Sequence, residues 1–418
     1  MSQTNVVPLQ AQRDLFSLYM KMTESEDTPE LFKKWAAISL IAGAVERRVW
    51  TETGYLGGEV RLMYPNLYTL FLAAPGVGKA IIEKVKGIWR TVQLPGTSQQ
   101  AFHVGPDNMT HAAMVDVLAE SLHSFLPPQG GPYEYCSLLV AAEELSVFMH
   151  EYSNDFVSAL NTLYNVPDLY QERRRHGPAK NVEVRNPILN LLAGVQPAWV
   201  HDHFPDSAWA TGLPSRMIMI YVGERANRGF FSRGQSNSPD RPMFMQQLSN
   251  LAQLYGRIEW DLDAYRLIDD WTFNNGPPTP THSKLEHYCN RRGLHVGKLA
   301  MISSISRYRS VKLIEKFDVE RAIQWLLEAE QFMPDAFRAM IGRSDHDVIE
   351  ELYEHLWRLY GISGQKGVHE AKLQLFLQQR VPADKARWIL DALVRSGMAE
   401  LRGSTNIFFP SPRKDFVE

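Results

Sequence analysis

Apolar residues recur at helical spacing from 29 to 48, which predicts a buried helix ending at Glu46-Arg47-Arg48, behind a shorter helix near 15–22. Gly54, Gly57 and Gly58 then mark a turn. Leu67-Tyr68-Thr69-Leu70-Phe71-Leu72 is a continuous apolar run, the pattern of a strand buried on both faces of a sheet. Three further runs, 137–141, 188–194 and 217–222, alternate with helical stretches that include 81–92 and 110–125. Strands alternating with helices predict an α/β fold built on a parallel sheet.

Beyond Gly229 the spacing becomes helical, with helices expected at 243–255, 262–274, 286–310 and 319–341. These predict an all-α subdomain packed beside the sheet. The last stretch differs again, with helices expected at 348–359, 369–379 and 383–396. It continues with Ala399-Glu400-Leu401, a turn at Arg402-Gly403-Ser404, and Ile407-Phe408-Phe409. Three helices followed by a β-hairpin are the order of a winged helix-turn-helix. The expected division is an N-terminal tail and helices (1–60), an α/β core (61–231), a helical lid subdomain (232–342) and a winged-helix domain (343–418).

Composition narrows the class. A hydrophobic share of 44% with 22% charged residues, over 418 residues, is that of a folded chain of two or three domains. Cys136 and Cys289 stand far apart, in no metal-ligand spacing, so neither a disulfide framework nor a zinc site is expected and a reducing cytoplasm fits best. No run of about 18 apolar residues predicts a membrane span, and the polar segment 1–13 does not resemble a signal peptide. The net charge of −3 excludes a general basic field, so any contact with nucleic acid has to come from local clusters.

The strongest chemical signal is Ala73-Ala74-Pro75-Gly76-Val77-Gly78-Lys79-Ala80, between a predicted strand and a predicted helix. Glycines let the backbone curl so that successive N–H groups face a phosphate. The lysine reaches its oxygens and the helix N-terminus adds a positive end. Pro75, Gly76, Val77, Gly78, Lys79 and Ala80 are thus the expected phosphate loop. Ala80 departs from the usual Ser or Thr, whose hydroxyl ligates Mg²⁺.

Leu138-Leu139-Val140-Ala141-Ala142-Glu143-Glu144 is a second signal, an apolar strand ending in two carboxylates. Glu143 is assigned mainly to Mg²⁺ and Glu144 to polarising the attacking water, although a helix N-terminus also favours acids. Gln196 ends another strand, where it either senses the γ-phosphate or is a plain polar residue. Arg216, in Gly212-Leu213-Pro214-Ser215-Arg216, is either a residue supplying charge in trans to a neighbour's γ-phosphate or an ordinary surface arginine. Glu172-Arg173-Arg174-Arg175-His176-Gly177-Pro178-Ala179-Lys180 reads as a hairpin with a basic tip. Arg173, Arg174, Arg175 and Lys180 there would contact DNA phosphates, or else form a solvated charge run. Arg291, Arg292 and Lys298 are candidates for a second sensor over the nucleotide or for surface ion pairs. His201 and His203, near Asp202 and Asp206, lack a third partner for a metal.

Taken together these residues resemble the AAA+ P-loop ATPases, specifically helicase-like proteins of phages and integrated mobile elements. The likeness rests on Tyr64-Pro65-Asn66-Leu67-Tyr68 leading into the glycine loop, on the segment from Arg185 to Pro197, and on Gly212-Leu213-Pro214-Ser215-Arg216. More distantly the order is similar to minichromosome-maintenance and superfamily 3 replicative helicases. The resemblance implies ATP and Mg²⁺ as cofactors and a homo-oligomer, expected as a hexameric ring around single-stranded DNA. It places Lys79, Glu143, Glu144 and Gln196 in cis and Arg216 in trans, with the winged helix on duplex DNA or replication proteins. A replication initiator or helicase loader that hydrolyses slowly, or an anti-phage defence ATPase, are the alternatives.

Overall fold

The computed structural model describes residues 14–412 except 57, 128–129, 150–152, 175–180, 205–207, 210–211, 225–237, 308–311, 341–344, 379–380, 382 and 403–405. The chain divides into two compact units, Met1–Met340 and Ile341–Glu418.

In the first unit, helices α1 (Leu15–Met22) and α2 (Glu30–Val45) precede an antiparallel pair, β1 (Val49–Leu56) and β2 (Glu59–Met63), around the predicted glycine turn. Next come β3 (Tyr68–Leu72), α3 (Ile81–Thr91), α4 (His111–Glu120), β4 (Leu122–Phe125) and β5 (Tyr133–Ala142). Two helices follow, α5 (Leu145–Phe148) and α6 (Asn154–Tyr164), and then the hairpin β6 (Leu169–Arg173) and β7 (Asn181–Arg185). The core closes with β8 (Pro187–Val195), α7 (Pro197–His203), α8 (Leu213–Arg216) and β9 (Met217–Tyr221). The central sheet has the order β4-β5-β8-β3-β9. Its last four strands are mutually parallel, Tyr68 facing Leu191 on one side and Met217 on the other, and Cys136 facing Pro187. This is the expected α/β arrangement.

Burial explains the strand choice. Every residue of β3 and of β8 is buried, so both strands must lie between layers. Helix α2 is buried on nearly all sides and forms one such layer against α3. Gly43 makes that approach possible, since a Cβ there would lie 2.7 Å from the Trp89 ring.

Three expectations need correction. The helix expected over 110–125 stops at Glu120, where the Ser121 hydroxyl turns back to donate to the Leu118 carbonyl at 2.7 Å. Residues 122–125 then alternate in exposure and pair antiparallel with β5, so the sheet is not wholly parallel. The single helix expected over 286–310 is two, α11 (Glu286–Cys289) and α12 (Arg292–Ser306), which follow α9 (Arg241–Leu251) and α10 (Leu262–Phe273). The helix expected over 319–341 is also two, α13 (Lys316–Glu330) and α14 (Met333–Met340). Pro334 has no N–H to give the Glu330 carbonyl, which breaks the run there. These helices pack within the same unit as the sheet, α12 lying against α2 and α13 against β9.

The second unit contains helices Asp345–Ile362, Glu370–Gln378 and Ala383–Arg395. Strand Ile407–Pro410 pairs antiparallel with Ala399–Arg402 and with Val368–His369. Its own small core includes Leu352, Leu356, Leu373, Leu377, Ile389 and Leu393. Among the described residues, no helix is long and apolar enough to cross a membrane.

Candidate active site

Strand β3 delivers the chain to the carboxyl edge of the parallel strands, and the glycine loop turns there into α3. Gly76 and Gly78 hold φ of +78° and +113°, in the left-handed region that a side chain opposes. Gly78 is doubly constrained, because a Cβ would lie 2.7 Å from the Pro29 ring at the start of α2. Among the described residues, no N–H from Gly76 to Ala80 donates to a backbone carbonyl. Those donors stand at a helix N-terminus, where backbone N–H groups and the helix dipole favour an anion. Ala74, Pro75, Gly76 and Ala80 are exposed, while Val77 and Lys79 are buried.

Lys79 is only 4% exposed, and its ammonium donates to Glu144 Oε1 at 2.8 Å. Glu144 follows β5, which is separated from β3 by β8 alone. The two candidate residues, 65 apart in the chain, therefore meet at one edge of the sheet. Glu143 is exposed beside Glu144, and its carbonyl packs directly onto Gly194 of β8, where a Cβ has no room. Gln196 leaves β8 as the residue before α7. It neighbours the loop, since the Ala73 N–H donates to the Val195 carbonyl at 3.2 Å. Glycine loop, acidic pair and glutamine thus share the edge where ligands of parallel α/β sheets bind.

The other candidates lie elsewhere. Arg216 ends α8, immediately before β9 begins, at the opposite edge. Its guanidinium folds back to donate to the Gly212 carbonyl at 2.9 Å. Burial, and then the charge of Arg291, hold its pKa below the ordinary arginine value. Arg291 and Lys298 are at that same edge, Lys298 donating to the Asn66 carbonyl ahead of β3 at 2.9 Å. Surface ion pairs do not describe the group: Lys298 is buried, and buried Arg292 pairs with buried Glu330 at 2.6 Å.

The hairpin expected before β8 is present, Leu169 facing Arg185 and Arg173 facing Asn181. Arg173 is exposed. Arg174 is committed within the protein, at 2.7 Å from Glu172, 2.8 Å from Asp116 and 2.9 Å from the Ala112 carbonyl. Arg175 and Lys180 lie outside the described residues. His203 stacks on Trp199 and meets its carbonyl at 3.0 Å. Among the described residues, no three His, Cys, Asp or Glu side chains are grouped to hold a metal. A Mg²⁺ ion held by Glu143 would therefore take most of its ligands from phosphate oxygens and water, as this ion commonly does. Sequence reasoning missed Pro29, and no local signal marks it, because its role is a contact between distant segments. Comparison with protein-family models and with curated proteins finds no match.

Proposed function

We propose that the protein binds ATP with Mg²⁺ at the glycine loop and acts as a ring-forming AAA+ ATPase on DNA, a helicase or translocase of phage or mobile-element replication. One observation carries the nucleotide reading: Lys79 and Glu144 are joined at 2.8 Å, beside loop amides that among the described residues donate to no backbone carbonyl, at the carboxyl edge of the four parallel strands. In this reading the loop N–H groups and Lys79 hold the β- and γ-phosphates, and Glu143 holds the metal. A Mg²⁺ ion held there would supply positive charge to the phosphate oxygens during transfer. Glu144, released from Lys79 when phosphate arrives, orients the attacking water, and Gln196 contacts the γ-phosphate. Support for action on DNA comes from the hairpin with exposed Arg173 and from the second unit, whose three helices and antiparallel strands suit a winged helix.

Ala80 favours a second reading, an ATP-dependent switch such as an initiator or loader, because no hydroxyl is present to ligate the metal. The same experiment separates the two. Assembly state, DNA-stimulated hydrolysis and strand separation are measured with ATP for the chain carrying Ala80 and for Ala80→Thr. Stimulated hydrolysis with strand separation supports the helicase. Separation by neither protein removes that reading, and ATP-dependent assembly without stimulation leaves the switch.

A further inference from the structure

Where the parallel strands begin, opposite the glycine loop, a cavity of about 830 Å³ opens between β2, α6, α8 and the α11–α12 corner. Arg61, Arg291, Lys298 and His287 line it, and among the described residues no carboxylate does. Lys298 is buried, and among the described residues its partners are neutral: the Asn66 carbonyl, Asn66 Oδ1 at 2.5 Å and the Tyr164 ring face at 4.2 Å. Arg216 stands behind the wall formed by Gly212 and Ser215, its buried Nε without an acceptor.

Other buried or half-buried arginines of this unit are treated differently. Arg47 meets Asp168, Arg48 meets Glu46, Arg292 meets Glu330 and Arg307 meets Asp318. Among the described residues, no acid pairs with Arg216, Arg291 or Lys298. Lys298 is buried, and Arg216 and Arg291 are half-buried. Removing such like charges from water without a counter-charge is costly. Burial and then Arg291 hold the Lys298 pKa well below its ordinary value, and an oxyanion entering the cavity would relieve this. Guanidinium groups match phosphate oxygens in geometry and charge. The volume falls within the range of small-molecule sites, about 300–1,000 Å³.

We propose that this cavity is a second phosphate site, which within a single subunit binds a free small molecule carrying two or more phosphates through Arg291, Arg61 and Lys298. A γ-phosphate presented by a second copy has the same chemistry, but Arg216 is folded inward onto Gly212 here, and the cations face a cavity within one chain. The site needs no nucleotide at the glycine loop, so its success or failure is separable from the ATPase reading.

The test is calorimetric titration of pyrophosphate, without metal, into the full chain carrying Lys79→Ala, with light scattering to give its mass. Saturable binding of one pyrophosphate per chain by the monomer is expected. Adding Arg291→Ala should weaken it about ten- to hundred-fold, as loss of a charged hydrogen bond does. Arg61→Ala, at an exposed position, should weaken it as well, whereas Arg266→Ala on α10 should not. Thermal melting verifies that each variant is folded. No saturable binding by the Lys79→Ala chain overturns the proposal. So does binding confined to assembled protein, or binding indifferent to both Arg291→Ala and Arg61→Ala.

Discussion

Lys79 and Glu144 hold each other across the carboxyl edge of the central sheet, the lysine buried and the glutamate about one third exposed. The pair gives a buried ammonium its counter-charge, since an unpaired buried charge is costly. It also makes Glu144 a competitor of any incoming phosphate. Glu144→Gln is therefore expected to tighten ATP binding several-fold while cutting hydrolysis by about 10²–10⁴, the usual contribution of a general base. Equilibrium binding and phosphate release measured on one preparation would check this. Weaker binding by the variant would show that Glu144 positions Lys79 for phosphate and does not compete with it.

Gly194 is required by the Glu143 carbonyl, which occupies the place of a Cβ. Gly194→Ala should destabilise the protein by about 1–3 kcal/mol, as overpacking of a well-filled core does. It should also displace the acidic pair, so hydrolysis should fall further than stability explains. Chemical denaturation alongside the ATPase rate tests this; unchanged stability would mean that β5 and β8 can separate at little cost.

The Arg292–Glu330 pair is buried on both sides, and Glu330 also accepts from the Tyr288 hydroxyl at 2.9 Å. Truncating one partner strands the other. Arg292→Ala is expected to cost about 3–5 kcal/mol, and Arg292→Met with Glu330→Leu far less. Urea unfolding of the two proteins would show the difference. Equal losses would assign the effect to packing of the arginine stem.

His295 is fully buried between the Ser215 carbonyl, 3.0 Å from Nε2, and the Tyr164 hydroxyl, 3.4 Å from Nδ1. Burial lowers its pKa from 6.5 to about 3 against the opposing hydrogen bond to the Ser215 carbonyl, with smaller lowering effects from the charges of Lys298, Arg291 and Arg292. Between those two values the unfolded chain carries a proton that the native protein does not. Stability from this group is therefore intact above pH 6.5 and declines as the pH falls toward 3. At pH 5 the loss is about 2 kcal/mol. His295→Gln should flatten that part of the stability profile. An unaltered slope in denaturation from pH 7 to pH 5 would assign the acid sensitivity to other groups.

How much was legible beforehand depended on whether a feature is local. The strands Tyr68–Leu72 and Pro187–Val195 were readable because a strand buried on both faces must be apolar throughout. The glycine loop was readable because positive φ at Gly76 and Gly78 restricts residue choice within a few positions. Leu122–Phe125 was misread as the end of a helix, since four residues carry too little periodicity against a helical stretch before them.

Sequence by itself determined the α/β alternation, the glycine loop, and the set of candidate residues for the proposed phosphate site. Only the tertiary structure decided which of them meet. Strand order, which pairs segments far apart in the chain, brings Glu144 to Lys79 and leaves Arg216 at the other edge with Arg291 and Lys298. Likewise it turned Arg174 inward to Asp116, a residue that no spacing along the chain connects with it. Local pattern reports the conformation a segment prefers, whereas an ion pair or an unmatched charge depends on distances that exist only after the chain has folded.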